Sequence, residues 1–434
     1  MPQHVFRGFK NVTVKISILK ETIADEKRVA ATPESVKKMI ALGCAVKIES
    51  GAGESASISD DAFKEAGATI VKTKADALKN IDIILKVQGP TPGELKSIPA
   101  NAFLIAMLAP LGNPDYVAKL GAHGIGSFSM DLMPRITRAQ SMDVLSSQSN
   151  LAGYKAVLDA CAEYGRAFPM MMTAAGTIPP AKVFVMGAGV AGLQAIATAK
   201  RLGAVVTATD VRPAVKEQVE SLGGSFVAVE DDEFKQAETS GGYAKEMSKE
   251  YQKKQAKLVE EHIAKQDIVI TTALIPGRPA PRLITEAMVK SMKNGSVIVD
   301  LAVENGGNCE LSKAGNIIEK HGVKIIGHKN VPSRLAADTS ALYARNILNF
   351  LSLIINKDKK ELAINWNDEI ITGTALTRDG KIVHPNFKDI KVPSKPSKSE
   401  EAKPKAAEKK KTPAKKTVST KTTKTSKTPA KAKE

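Results

Sequence analysis

Three glycines in VFVMGAGVAGLQ, Gly187, Gly189 and Gly192, stand at GxGxxG spacing where an apolar run ends at Met186. Each position has its own reason to be glycine: a tight turn at the first, close approach of backbone to a pyrophosphate at the second, and helix-to-strand packing at the third. A helical stretch to Leu202 and a second strand follow in register. Asp210 closes that strand 18 residues after Gly192, where a carboxylate accepts hydrogen bonds from a ribose. A strand-to-helix turn with no ligand is the plain alternative. Asp210 would repel a 2′-phosphate and so favours NAD over NADP, whereas Arg212 could pair with such a phosphate or with the pyrophosphate.

A second stretch, RITRAQSMDVLSSQSN at residues 135–150, holds two arginines, two glutamines and an aspartate but no His, Cys or Lys. Gln140, Asp143, Ser146 or Ser147, and Asn150 recur every three or four residues, so a helix through them carries all on one face. An ordinary polar helix surface has the same pattern. As a site, the set offers hydrogen-bond donors and acceptors with almost no proton shuttle. Hydride transfer between two nicotinamide rings needs that, because positioning matters and no proton moves onto or off a substrate heteroatom. Metal chemistry is not expected: Cys44, Cys161 and Cys309 are widely spaced with no CxxC, and His123, His262 and His328 lack partner spacing. A reducing compartment fits that cysteine usage.

These groups need a scaffold, and 434 residues suggest two domains plus extras. With 43% hydrophobic and 4% aromatic residues the cores must be aliphatic. From Val14 strands and helices alternate: ATPESVKKMIALG has Thr32 as N-cap, Pro33 at the first helical position and Gly43 as terminator, AVKIES and IDIILKV read as strands, and ISDDAFKEAG starts a helix near Ser59. A second series, KVFVMG, VVTATD, SFVAV, DIVITTAL, SVIVDLAV and VKIIG, supplies about six strands, the count of a doubly wound dinucleotide fold. Long helical patterns from about Ser141 to Gly165 and through SALYARNILNFLSLII link the series. The expected fold is α/β: two Rossmann-like, doubly wound parallel-sheet domains linked by long helices, with a disordered Lys-rich tail. Residues 14–135 with 356–390 form the first domain, 136–355 the second and 391–434 the tail. The cleft between domains is the natural ligand site. The polar insert at 230–262 reads either as a solvated helix with a loop or as a lid hinged at Gly241 and Gly242 beside Tyr243.

The segments RITRAQSMDVLSSQSNLAGYKAVLDA, FPMMMTAAGTIPPAKVFVMGAGVAGLQAIATAKRLGAVVTATDVRP, GGYAKEM, ITTALIPGRPAP, DLAVENGGNCELS and GHKNVPSRLAADTSALYARNILNFL closely resemble the NAD(H)-binding component of the proton-translocating NAD(P) transhydrogenases, over about residues 14–388. The resemblance implies that Arg135, Gln140, Asp143 and Ser146 hold the nicotinamide end and its ribose, with Gln140 bridging toward NADP(H) on a partner. It also implies NAD contacts at Gln140, Ser141, Met142, Asp143, Val190, Asp210, Val211, Arg212, Gly242, Gln255 and Leu274, and places Gly242 and Tyr243 in a mobile loop. It implies an enzyme active only with its partners: NAD(H) here, NADP(H) on a separate NADP-binding subunit, a membrane-embedded subunit that conducts the proton, and a homodimer docked on the cytoplasmic face of a bacterial inner membrane.

More distantly the chain resembles alanine dehydrogenases. Arg28 and Lys86 match that family's substrate-carboxylate positions, but Met107 stands where its catalytic histidine falls and Glu304 where its aspartate falls. Reductive amination needs an acid/base group that Met cannot be; Arg28 and Lys86 then read as structural inheritance in buried ion pairs. A non-catalytic NAD-binding scaffold is a further alternative. No apolar run reaches membrane-span length, the start MPQHVFRGFKNVTVK has no secretory apolar core, and the chain reads as soluble. The net charge of +17 is concentrated in residues 391–434, with 15 Lys against 4 Glu and no aromatic residue. Solvation or attachment to an anionic membrane face suits this tail better than specific nucleic-acid recognition, which needs stacking groups.

Overall fold

The computed structural model describes residues 13–235 and 247–392; Gly241, Gly242 and Tyr243 of the expected lid, and the Lys-rich tail, lie outside the described residues. Both alternating series form sheets. In the first, β1 (Lys15–Ile18), β2 (Ala45–Glu49), β3 (Thr69–Val71), β4 (Ile83–Gln88), β5 (Phe103–Met107) and β6 (Gly126–Ser129) lie parallel in the spatial order β3-β2-β1-β4-β5-β6. Ile83, Ile84, Leu85 and Val87 are all buried, as a sheet covered on both faces requires. Thr32 accepts the Ser35 N–H and starts the helix Pro33–Ala41, after which Gly43 adopts a φ of +90° and turns the chain into β2.

The chain leaves this sheet along α1 (Val144–Glu163), forms an exposed hairpin of β7 (Met171–Thr173) and β8 (Gly176–Ile178), and enters the second sheet. There β9 (Lys182–Met186), α2 (Val190–Arg201), β10 (Val205–Thr209), β11 (Ser225–Phe226), α3 (Lys249–Ile263), β12 (Ile268–Thr271), β13 (Val297–Asp300), β14 (Asn316–Lys320) and β15 (Val323–Gly327) follow one another. The spatial order is β11-β10-β9-β12-β13-β15-β14, parallel except for β14 at the edge. The sequence series supplies six of these strands. β14 is the unanticipated seventh, because its sequence NIIEK is mostly exposed and alternates too little to announce a strand.

The return path is α4 (Ala336–Ile354), a small pair of β16 (Ile355–Asn356) with β17 (Glu361–Leu362), and then β18 (Ala375–Arg378) and β19 (Lys381–Ile382), which extend the first sheet antiparallel from β6. The two long helices pack on each other and cross between cores. α1 starts in the first core at Val144 and ends in the second at Ala156, Val157 and Ala160, while Tyr343, Ile347, Phe350 and Leu351 of α4 lie in the first. Among the described residues no helix is long and apolar enough to cross a membrane.

Candidate functional site

At the end of β9 the backbone turns through Gly187, whose φ of +99° lies in the left-handed region and whose carbonyl accepts a 2.8 Å hydrogen bond from Thr272 Oγ1. A Cβ at Gly187 would meet that hydroxyl at 2.7 Å, and a Cβ at Gly192 would run into the Gly187 carbonyl. Gly189 is the N-cap of α2 and has open space where its Cβ would be. The turn thus leaves a cradle of main chain at the start of a twelve-residue helix, which suits an anionic pyrophosphate. Sequence reasoning misses Gly153 of α1, where a Cβ would be driven into the Ala191 carbonyl; this glycine lets α1 lie directly on the start of α2. Its only trace in the sequence is an isolated glycine inside a helical pattern.

Asp210, one residue past β10, joins the turn. Its Oδ2 accepts the Ala188 N–H at 2.8 Å and Arg212 Nη2 at 2.9 Å, and its Oδ1 accepts Arg212 N and Nε at 2.9 Å. Burial pushes this carboxyl up, but hydrogen bonds and charge from Arg212, with the Ala188 amide, outweigh it and hold the group below its ordinary range. Gln255 on α3 lies beside the strand end: its Nε2 donates to Thr209 Oγ1 at 3.0 Å, and its Oε1 accepts Val229 N at 2.9 Å. Val211 is half exposed there.

A cavity of 440 Å³ opens where the strands of both sheets end, as ligand sites do in doubly wound folds. Its wall includes Gly189, Val190 and Leu274 from the second sheet's side and Arg135, Asp143 and Ser146 from the stretch that joins the sheets. Buried Asn308 shapes the Leu274 side: its Oδ1 accepts Ala273 N at 3.1 Å, and its Nδ2 donates to Ala273 O at 2.9 Å and Pro281 O at 2.8 Å. Asn308 lies within DLAVENGGNCELS, where nothing along the chain gives it a role.

The single helical face expected from Gln140 to Asn150 is corrected by the structure. Thr137–Met142 is a 3-10 turn, and Asp143 caps α1, taking Ser146 N at 2.9 Å on Oδ1 and Ser146 Oγ at 2.5 Å on Oδ2. A capping carboxylate holds extended backbone, so the helix begins after it and the three-to-four periodicity is broken. Asp143 and Ser146 therefore act on each other at the wall. Met142 packs into the first core, Ser141 is exposed, and Gln140 is exposed outside the lining residues; among the described residues its amide has no hydrogen-bond partner.

The inner wall holds Arg28, Gln88, Met107, Asp131, Glu304, His328 and Asn330. Arg28 is buried and committed: Nε and Nη2 reach Glu26 at 2.8 and 2.6 Å, Nη1 reaches Gln148 at 2.8 Å, and Nη2 reaches Asn330 at 3.1 Å. Burial raises the Glu26 carboxyl, but the Arg28 hydrogen bonds and charge outweigh it, so the group stays below its ordinary range. Lys86 is buried against Glu21 at 3.0 Å. Glu304 accepts Asn330 N at 2.8 Å. Burial, with the nearby Arg334 charge, lowers the His328 ring. Among the described residues no three metal-ligating groups cluster.

Comparison with known proteins agrees with this geometry. The family models "Alanine dehydrogenase/PNT, N-terminal domain" and "Alanine dehydrogenase/PNT, C-terminal domain" match residues 17–152 and 156–385. The chain is 60% identical over 377 residues to an NAD(P) transhydrogenase subunit alpha chain of Rhodospirillum rubrum, covering 86% of this chain and 98% of that one. Against an alanine dehydrogenase of Methanococcus maripaludis the identity is 27% over 380 residues, 85% of this chain and 94% of that one. A transhydrogenase structure from Sinorhizobium meliloti superposes with a TM-score of 0.78 at 56% identity, covering 85% of this chain and 100% of that one. The glycine turn, the capped wall and the two matching domain models thus agree: the chain belongs to the alanine dehydrogenase/PNT family, among its NAD(P) transhydrogenase alpha subunits.

Proposed function

We propose that this chain is the NAD(H)-binding subunit of a proton-translocating transhydrogenase, exchanging a hydride with NADP(H) on a separate NADP-binding subunit while a membrane-embedded subunit conducts the proton. The observation that carries the reading is the shared wall: Arg135, Asp143 and Ser146 line the same cavity as Gly189 and Val190, with Gln140 exposed outside it. Bound NAD(H) supplies the nicotinamide carbon that gives or takes the hydride. The chain's own groups bind and orient it. The amides of the glycine turn face the pyrophosphate, Asp210 accepts from the ribose, and Arg135, Asp143 and Ser146 engage the nicotinamide end. Arg212 is held by Asp210 at 2.9 Å, which disfavours pairing with a 2′-phosphate and supports NAD over NADP. Gln140, outside the pocket, is accessible to a partner.

Turnover as an alanine dehydrogenase requires a proton donor, and Met107 occupies the cavity wall where that resemblance calls for histidine. Arg28 is also fully engaged by Glu26, Gln148 and Asn330. On this reading the subunit is a homodimer, peripheral on the cytoplasmic face of the membrane. The test is NADH oxidation by the purified chain, first with pyruvate and ammonium and then with an NADP-binding partner subunit and NADP, with NADH binding followed by fluorescence. Binding with turnover only in the second mixture is expected; turnover in the first would replace this reading with the dehydrogenase.

A further inference from the structure

We infer that Asn346 and Asn349 of α4, together with the Arg138–Asp368 ion pair, are positioning residues for hydride exchange. They mount the turn that carries Gln140, and the inference rests on the function proposed above. A six-residue 3-10 turn holds its shape poorly unaided. Here it is fastened on both sides of Gln140. Before it, Arg138 makes a two-pronged pair with Asp368, at 2.8 and 3.0 Å, and Asp368 in turn caps the helix Glu369–Thr374 by accepting Ile370 N at 2.8 Å. After it, the Ser141 carbonyl accepts two side-chain amides, Asn346 Nδ2 at 2.8 Å and Asn349 Nδ2 at 3.0 Å.

The asparagine amide of position 346 is itself oriented. Its Oδ1 accepts Ser147 Oγ at 2.7 Å, which leaves Nδ2 for Ser141 and ties α1 into the same unit. Ala139 and Met142 are buried in the first core. α4 is anchored by Ile347, Phe350 and Leu351 in that core, so the mount is as rigid as the sheet it rests on. Residues 138, 139, 141, 142 and 143 are all held; Gln140 alone faces out. Two donors on one exposed carbonyl are more than that carbonyl needs to be satisfied, and their shared effect is to fix the direction of the turn.

The test uses the full-length chain with an NADP-binding partner subunit, measuring single-turnover hydride transfer from NADH and, separately, NADH affinity by fluorescence titration. Asn349→Ala removes one donor from a partly exposed position, and Asn349→Asp sets a carboxylate against the Ser141 carbonyl. Hydride transfer is expected to fall about tenfold or more, further for Asp than for Ala, because displacement of about 1 Å suffices for such losses. NADH affinity and melting temperature stay near wild type. Arg138→Gln gives the same split. Should the wild-type pair transfer no hydride, the functional reading itself fails. A wild type that transfers hydride while both Asn349 variants keep its rate, or lose NADH affinity in parallel with rate, overturns the mount.

Discussion

Asp210 makes four hydrogen bonds to its own chain, so replacing it removes more than a ribose contact. Asp210→Ala frees Arg212 from its counter-charge and lets the Ala188 amide drift within the glycine turn. The expected loss of NADH affinity is about 1.5–3 kcal/mol, the scale of a hydrogen bond to a charged group. Asp210→Asn keeps acceptor capacity and should fall between; isothermal titration separates the three. Because Arg212 and Ala188 hold the carboxyl below its ordinary 3.8, the stabilisation it gives is present above that pH and lost only as pH falls through the lower folded value. From about pH 5 to 8 its contribution to affinity should therefore be flat. Gln140 stands at the opposite extreme. Its side chain is exposed and bonds to none of the described residues, so Gln140→Asn should leave stability within about 0.5 kcal/mol and NADH affinity unchanged while slowing hydride transfer to a partner. A fall in binding with no fall in transfer rate would remove it from the reacting end.

Helix contacts supply a sharper case, because two effects of one substitution oppose each other. Gly153→Ala should gain about 1 kcal/mol of helix propensity, but the new methyl is driven into the Ala191 carbonyl, and overpacking of that kind costs about 1–3 kcal/mol. Packing wins: the melting temperature should fall, and NADH affinity with it, since α1 pushes on the start of the nucleotide-binding helix. A rise in melting temperature would show that the two helices separate freely. The contrast between Gly153 and the glycines of GxGxxG also shows what was legible in the sequence. Gly187, Gly189 and Gly192 belong to a local strand-turn-helix pattern, and the strands β4, β9 and β12 are apolar runs, so all could be read along the chain. Gly153 depends on Ala191, Asn308 on Ala273 and Pro281, and the Ser141 carbonyl on Asn346 and Asn349, partners dozens to hundreds of residues away that periodicity does not reveal. Asp143 misled for a different reason. Its spacing fits a helical face, yet an aspartate followed three residues later by a serine N–H is equally a cap, and the cap is what formed.

At the scale of the whole molecule, the parallel strands of both sheets have the same spatial order, yet only one sheet has a glycine turn after its first strand. The matching end of the first sheet is filled by its own charges. Glu26 and Arg28 come from the segment after β1, Gln148 from α1 and Asn330 from the segment after β15, so one buried cluster joins the first sheet, the linking helix and the second sheet at the inner wall of the cavity. Lys27 N and Val29 N add bonds to Ser333 Oγ and Ser340 Oγ at 2.6 and 3.0 Å on either side. If Arg28 is a structural tie, Arg28→Met leaves Glu26 buried without its counter-charge and should cost about 3–5 kcal/mol. Adding Glu26→Gln removes the stranded charge, and most of that loss should return, because Gln88 and Asn330 still satisfy the amide. Chemical denaturation of the two variants measures this directly. Recovery in the double variant marks the pair as a neutral-sum tie between the halves of the molecule; a single variant as stable as wild type, but newly unable to bind a small carboxylate such as pyruvate, would mean that Arg28 was a ligand group, and the cavity would have to be read as a substrate site.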